Sequence, residues 1–582
     1  MISKIDSHVS VYVPISVVFP HINNEIKTFR SILAGLSRTD TLFWCARLNL
    51  VLSTKFDVDS IERQKFGLNQ FFSRSEIRAI SDFIVSNGGI ERVKVFFRGQ
   101  LLELFRWVAL YCIDHPGDGD TYEDPDVRRK FGQAALIASD IWNKRVFEDK
   151  FSLEGGIELA RKRALGPIRQ SMEATKSSQE LAQTLGRGWT LFNDYFPRYY
   201  KSFCKDFLAV TQMSVEQYYI VFAMMITHYM NPISNSGIFS VQQTLRDRKN
   251  TRDLFCKYVE LESQSADELK QEIKHCENIH PTGSYRSLRE KPILRTDDGR
   301  GIIIDPVFFA EKGSIGPLFH ILKSQTCRHH DVFIAFGQAF EEYVLDILSR
   351  MFSSSTNLVN RFSENIEAVD SEGRTIEIDG MLNDVFQTVL FEVKAGFVPE
   401  QAILSDDYES LLRIMRERYS TTETKKGKTK LKGVGQLARA AVSIATGRWK
   451  GNNDEFQSVR TIYPVLVLHD DLLTSPVYGD FFASEFSDRL LECSSGKEST
   501  MKNRNIKISP VITLSVSDLE YLEVAVEHFR FCDLLADYSK ACPDRLTSLY
   551  NFIASSDRYD FYYNRNLASM GIDVLGKAQA AL

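Results

Sequence analysis

RTIEIDGML (residues 374–382) and FQTVLFEVK (residues 386–394) are two runs rich in β-branched and aromatic residues, and Asn383-Asp384 lies between them. That composition suits strands, and the polar pair is a turn signal. The spacing predicts two paired strands. Side chains alternate faces along a strand. Thr388, Leu390, Glu392 and Lys394 therefore share one face, while Phe391 and Val393 point into a core. On the first strand Asp379 shares its face with Glu377. The short turn lets Asp379 lie close to Glu392 across the pair. One strand end thus presents two carboxylates and an amine.

Two carboxylates held a few ångströms apart repel each other unless a cation lies between them. A hard divalent ion with oxygen ligands suits the gap: Mg²⁺, with Mn²⁺ as a possible substitute. Such an ion polarises a phosphodiester and lowers the pKa of water. A lysine beside it orients that water or stabilises the charge developing on phosphorus oxygens.

Asp379, twelve residues, then Glu392-Val393-Lys394 resembles the D…(D/E)xK signature of the PD-(D/E)xK nuclease superfamily. Restriction enzymes, Holliday-junction resolvases and RecB-like exonucleases belong to it. The proline of the signature is replaced by Ile378. The resemblance implies a restriction-endonuclease-like α/β domain with a central mixed sheet. It also implies Asp379 and Glu392 as metal ligands and Lys394 as the catalytic lysine. Members often carry a glutamate on the helix before the first core strand, and FGQAFEEYVLDIL (336–348) offers two. Glu341 shares a face with Gly337, Val344, Leu345 and Leu348, which should pack on the sheet; Glu342 lies with Gln338, Asp346 and Ser349. Glu341 is therefore the expected additional metal-site residue. RecB-like members carry a glutamine on the helix after the ExK strand, and Gln436 in GVGQLARAA matches it. Ala440 stands where a tyrosine often follows. The resemblance covers about 331–525. The plainer alternative is a surface hairpin with a solvated Glu–Lys face.

Outward from that core, the pattern predicts an α+β multidomain chain. Residues 1–280 read as a mostly helical domain for sensing, oligomerisation or target recognition. Helical periodicity is clear over 74–87, 93–114, 124–146 and 189–230, the last broken near Gln212-Met213-Ser214. Residues 9–19 read as a strand, and His115-Pro116-Gly117 as a helix stop. The polar stretch 260–290 reads as a boundary. A connecting region, 281–330, holds a hairpin signal at Asp297-Asp298-Gly299. Within 331–525 a helix over 331–352 precedes the strand pair. A helix at 406–419, a lysine-rich loop at 423–432 and a helix from Val434 follow it. Residues 463–469 and 510–516 read as buried strands, with Asp518 as a helix N-cap. Residues 526–582 read as a helical tail.

KKGKTKLK (425–432) puts five lysines in eight residues. Lys425, Lys426, Lys428, Lys430 and Lys432 are candidate phosphate contacts; a solvated surface loop is the alternative. Arg413, Arg416 and Arg418 on the preceding helix are candidates to add to the group, with pairing to a neighbouring acid the alternative for Arg418. The chain's net charge of −5 does not itself announce a nucleic-acid partner. Contact with nucleic acid would need such a local patch. Nine cysteines without a CxxC pair do not form a disulfide or zinc framework by spacing. The groups Cys327/His329/His330 and His275/Cys276/His280 have no partner cluster at zinc spacing. The aromatic residues of 189–230 suit a core better than base stacking. No phosphate-binding glycine motif is apparent.

The first residues lack a signal-peptide run, and the longest apolar stretch, 218–230, is shorter than the roughly 20 residues of a membrane span. The expectation is a cytoplasmic protein that makes no membrane contact. The expected activity is Mg²⁺-dependent hydrolysis of phosphodiesters, with DNA preferred because of the resemblance. An RNA-cleaving effector with the same site is one rival; a catalytically silent scaffold or binding protein is the other. By analogy of architecture alone, such a chain suits bacterial anti-phage defence or restriction, acting as a homo-oligomer or with a partner protein.

Overall fold

The computed structural model describes residues 11–581, except 54–59, 90–91, 115–122, 149–155, 176–180, 230–237, 241–248, 280–283, 297–298, 326, 354–359, 370–372, 406, 424–428, 450–455, 457, 496–504, 544, 546 and 563. The stop expected at His115-Pro116-Gly117 lies outside the described residues; the helix before it ends at Tyr111.

Three antiparallel strands, Asn360–Val369, Thr375–Asp384 and Gln387–Lys394, begin a mixed sheet. Gln387–Lys394 also pairs in parallel with Thr461–Leu468, in register from Thr461↔Gln387 to Leu468↔Lys394. Thr461–Leu468 then pairs in parallel with Lys507–Ile508 and Ile512–Ser515. Gln387–Lys394 is thus a central strand, buried on both faces from Thr388 to Val393. Val389, Phe391 and Val393 enter one core with Tyr343, Val344 and Ile347 of the helix His329–Ser353. Leu390 enters the other, with Leu437, Ala438 and Ala441 of the helix Val434–Ala445.

The chain is mixed helix and sheet, as expected. The helices of 181–229 do not stand apart from the sheet. Phe192, Phe196, Tyr218 and Phe222 join the core that covers Phe391, together with Leu534, Leu535 and Val574 from the C-terminal helices. The aromatic-rich segment is therefore packed interior. It breaks where expected: Gln212 has φ 57°, between Phe203–Thr211 and Val215–Tyr229. A second core joins the helices of the first 143 residues to Leu269, Ile273, Ile302 and Phe308.

Several local expectations need correction. Among its described residues the 9–19 run supplies only the strand Val11–Tyr12; Ile15–Val18 is helical, with Pro14 at its start and Ile15 and Val18 buried one turn apart. The 260–290 stretch contains the helix Ala266–Ile279, which buries Leu269 and Ile273 four residues apart. The connecting region does hold the hairpin Ile293–Arg295/Arg300–Ile303, but also the helix Pro306–Ile321. The lysine-rich stretch is no simple loop: Thr421–Glu423 and Thr429–Leu431 pair as an antiparallel hairpin. Asp518 is not the N-cap. Ser515 caps that helix, and Asp518 closes the capping box from the third helical position. The strand Asn360–Val369 was not predicted; it is a sheet edge, so much of its surface is polar.

Candidate metal-dependent hydrolytic centre

The site forms where the sheet loosens around Asp379. The ladder between Thr375–Asp384 and Gln387–Lys394 ends at Gly380↔Phe391, one pair short of Asp379 and Glu392. On the other side the registered pairs are Glu364↔Gly380 and Ile366↔Ile378, with Asn365 between them at φ 48°. Ile378 and Met381 both face the same core, so face alternation slips at this point. Asp379 is thereby released from regular pairing on both sides. Its Oδ2 instead accepts the backbone N–H of Val393 at 2.6 Å. Glycine at 380 permits the close approach: an added Cβ would lie 3.1 Å from the Phe362 ring and 3.5 Å from Leu345 of the Glu341 helix.

Lys394 Nζ lies 2.5 Å from Glu392 Oε1 and 4.0 Å from Asp379 Oδ2, so the ammonium stands between the two acids. It also donates to the Val393 carbonyl at 3.0 Å. Glu392 is fully buried, and its Oε2 has no hydrogen-bond partner among the described residues. Burial pushes its carboxyl up to about 8; Asp379 and Glu341 push the same way and Lys394 opposes them. Burial also pushes Glu341 up to about 7, with Asp379 and Glu377 adding and Lys394 opposing. Burial works against the charge of Lys394, but Glu392 and Asp379 outweigh it and hold the ammonium above the usual lysine range. The four groups therefore share one electrostatic environment.

Glu341, not Glu342, belongs to this environment. Glu342 pairs with Arg198 at 2.6 Å. Glu341 and Glu342 both line a cavity of about 330 Å³ with Gln338, Glu364, Asn365 and Tyr199. Tyr199 comes from the helical half and was missed by sequence reasoning. It ends the short helix Phe196–Tyr199, where the packed aromatic run reaches the surface.

Gln436 makes a local bond at its own helix. Its Oε1 accepts the Gly433 N–H at 3.1 Å and closes the start of the helix Val434–Ala445. Lys425, Lys426 and Lys428 lie outside the described residues. Lys430 and Lys432 are described, and Lys432 is near enough for its charge to feel Lys394: burial, then Lys430 and Lys394, hold it below the usual lysine range. Arg416 is engaged by Glu485 at 2.5 Å. Cys327 and His329 bond the carbonyls of Ile321 and Leu322.

The donor set fits a hard divalent ion in one particular way. Among the described residues, no three acid, histidine or cysteine groups converge as a closed chelate. Mg²⁺ commonly takes one or two carboxylates and completes its shell with water and phosphate oxygens. Asp379 and the orphaned oxygen of Glu392 suit such an open site, with Glu341 beside them. No family model, curated protein or solved structure matches this chain.

Proposed function

We propose that the protein is a divalent-metal-dependent nuclease that hydrolyses phosphodiester bonds, with DNA as its substrate. The observation that carries the reading is the Lys394 ammonium held between Glu392 and Asp379 at a loosened strand end. Asp379 and Glu392 would hold Mg²⁺, which would supply charge neutralisation and polarisation of the phosphodiester. Lys394 stabilises negative charge developing on the phosphate oxygens, and its contact with Glu392 fixes where that charge is met. Asp379 is kept in position by the Val393 N–H. Glu341, with its carboxyl near 7, can take up or release a proton close to neutral pH. Lys430 and Lys432 favour the approach of phosphates.

The test is cleavage of plasmid DNA and structured RNA by purified protein in Mg²⁺, Mn²⁺ or EDTA, alongside Lys394→Ala. The expected result is metal-dependent loss of DNA, slowed about 10²- to 10³-fold in the variant, as for removal of one preorganised electrostatic donor. Cleavage of RNA alone would replace the substrate. Absence of both cleavage and metal binding would overturn the reading.

A further inference from the structure

Beside the acids lies an aromatic surface that the proposed chemistry does not use. Phe397 stands three residues after Lys394. Its ring centroid is 5.8 Å from Phe319 and 6.1 Å from Phe333, and both of those side chains are exposed, at 40% and 41%. Beneath them, Phe397 packs 5.8 Å from Phe336 and 5.3 Å from His469. His469 donates its backbone N–H to the Lys394 carbonyl, so the aromatic group is built onto the catalytic strand end. Exposed aromatics resting on a fixed aromatic base make a preformed platform rather than a loose surface patch.

The surface also leads somewhere. Phe333, Gly337 and Glu341 follow one another at four-residue spacing along the helix His329–Ser353. Side chains four apart are neighbours on a helix, and eight residues rise about 12 Å. At Gly337, between the platform and the acid, an added Cβ would meet nothing within 4 Å. The helix therefore offers an open floor between exposed rings and Glu341. Arg328, exposed just before this helix, adds positive charge at the platform end.

We infer that Phe319, Phe333 and Phe397 form a stacking platform for unpaired bases, so that the site takes a single-stranded segment of its nucleic-acid substrate. This inference rests on the nuclease reading. Aromatic rings stack on any base, because every base has a π face, whereas the paired bases of a duplex are already stacked on one another. The acids next to the platform would engage the backbone of the same strand.

The experiment uses the full-length protein in EDTA, so that binding is read without cleavage. The probes are a labelled single-stranded DNA, its duplex, and a single strand carrying 2-aminopurine. The expected result is preference for the single strand and a change in 2-aminopurine fluorescence on binding. Phe319→Leu/Phe333→Leu, which keeps the apolar surface but removes the rings, should weaken single-strand affinity about tenfold and abolish the fluorescence change. Phe319→Tyr/Phe333→Tyr should restore both. Single-strand binding equal in the parent and the leucine variant, or no binding of single strands by the parent, would overturn the platform. Metal-dependent cleavage lost in Lys394→Ala would still uphold the nuclease reading in that case. Conversely, ring-dependent single-strand binding without metal-dependent cleavage would overturn that reading and leave the platform as a binding surface.

Discussion

Tyr343 donates its hydroxyl hydrogen to Oε1 of Glu520 at 2.7 Å, two positions along the helix from Glu341. Glu520 also accepts Nε and Nη2 of Arg187, at 2.7 and 2.6 Å, and Nε2 of Gln183 at 2.7 Å. All four side chains are buried. One carboxylate thus ties the helix Leu181–Thr190 to the helix that carries Glu341. Such a pair need not add net stability, but removing one partner leaves a buried charge unmatched. Glu520→Ala should therefore cost about 3–5 kcal/mol. Tyr343→Phe, which removes one of several bonds to the acid, should cost about 1 kcal/mol. Denaturant unfolding measures both. A Glu520→Ala protein as stable as its parent would show that this contact does not hold the two helices together.

The acids of the site predict an unusual pH dependence. In the folded chain Glu392 and Glu341 are held at about 8 and about 7, above the ordinary 4.5. A carboxyl raised in this way binds its proton more tightly when folded. Its contribution to stability is complete below pH about 4.5 and is lost as pH rises through about 7 to 8. In EDTA, thermal stability should fall across that window. Glu392→Gln, a neutral side chain of similar shape, should flatten the fall while abolishing cleavage. Mg²⁺ should raise the melting temperature more at pH 8 than at pH 5, because the cation binds the ionised acids. Parallel pH profiles for the parent and Glu392→Gln would contradict burial as the cause.

These groups also show what was legible in the sequence. The composition of 386–394 identified the strand, though not its central place in the sheet, and the face of Val344, Leu345 and Leu348 favoured Glu341 over Glu342. Those features depend on local period and on which side is apolar, and a single segment records both. The cap role of Gln436 was not legible, because a glutamine three residues into a helix closes a cap only when the residue before the helix, here Gly433, offers it a free N–H. The edge strand Asn360–Val369 was missed because an edge carries little apolar patterning. The slip at Asp379 involves Asn365 of the neighbouring strand, and pairing between strands is not written in either strand alone. Tyr199 and Phe319 reach the site from distant segments, which only tertiary packing could reveal.

Gly433 offers a test of how the second face of the site is built. Its φ is 46°, and an added Cβ would lie 2.4 Å from the Tyr419 carbonyl oxygen. The Tyr419 hydroxyl in turn donates to the Gly396 carbonyl at 2.8 Å, two residues beyond Lys394. A methyl group at 433 meets rigid backbone and also strains its own conformation. Gly433→Ala should cost about 1–3 kcal/mol, and should lower the cleavage rate beyond what the stability loss explains. Unfolding curves and single-turnover cleavage at a temperature where both proteins are folded separate the two effects. Unchanged stability would mean that the turn relaxes freely.

The hairpin beside the site should declare itself through salt. Lys432 donates to the Glu417 carbonyl at 3.2 Å, while burial and the charges of Lys430 and Lys394 disfavour its own charge. A phosphate placed among these ammonium groups would relieve their mutual repulsion, so contact there should be favourable. Each neutralised phosphate of duplex DNA steepens the log–log dependence of affinity on salt by about 0.9. Lys430→Gln/Lys432→Gln should therefore lower that slope by about 2 and weaken binding most at low salt. Titrations of labelled duplex across a salt series, in EDTA, give the slope directly. A variant with the parent's slope would move the phosphate path away from this hairpin, leaving Lys394 as the cation that meets the backbone.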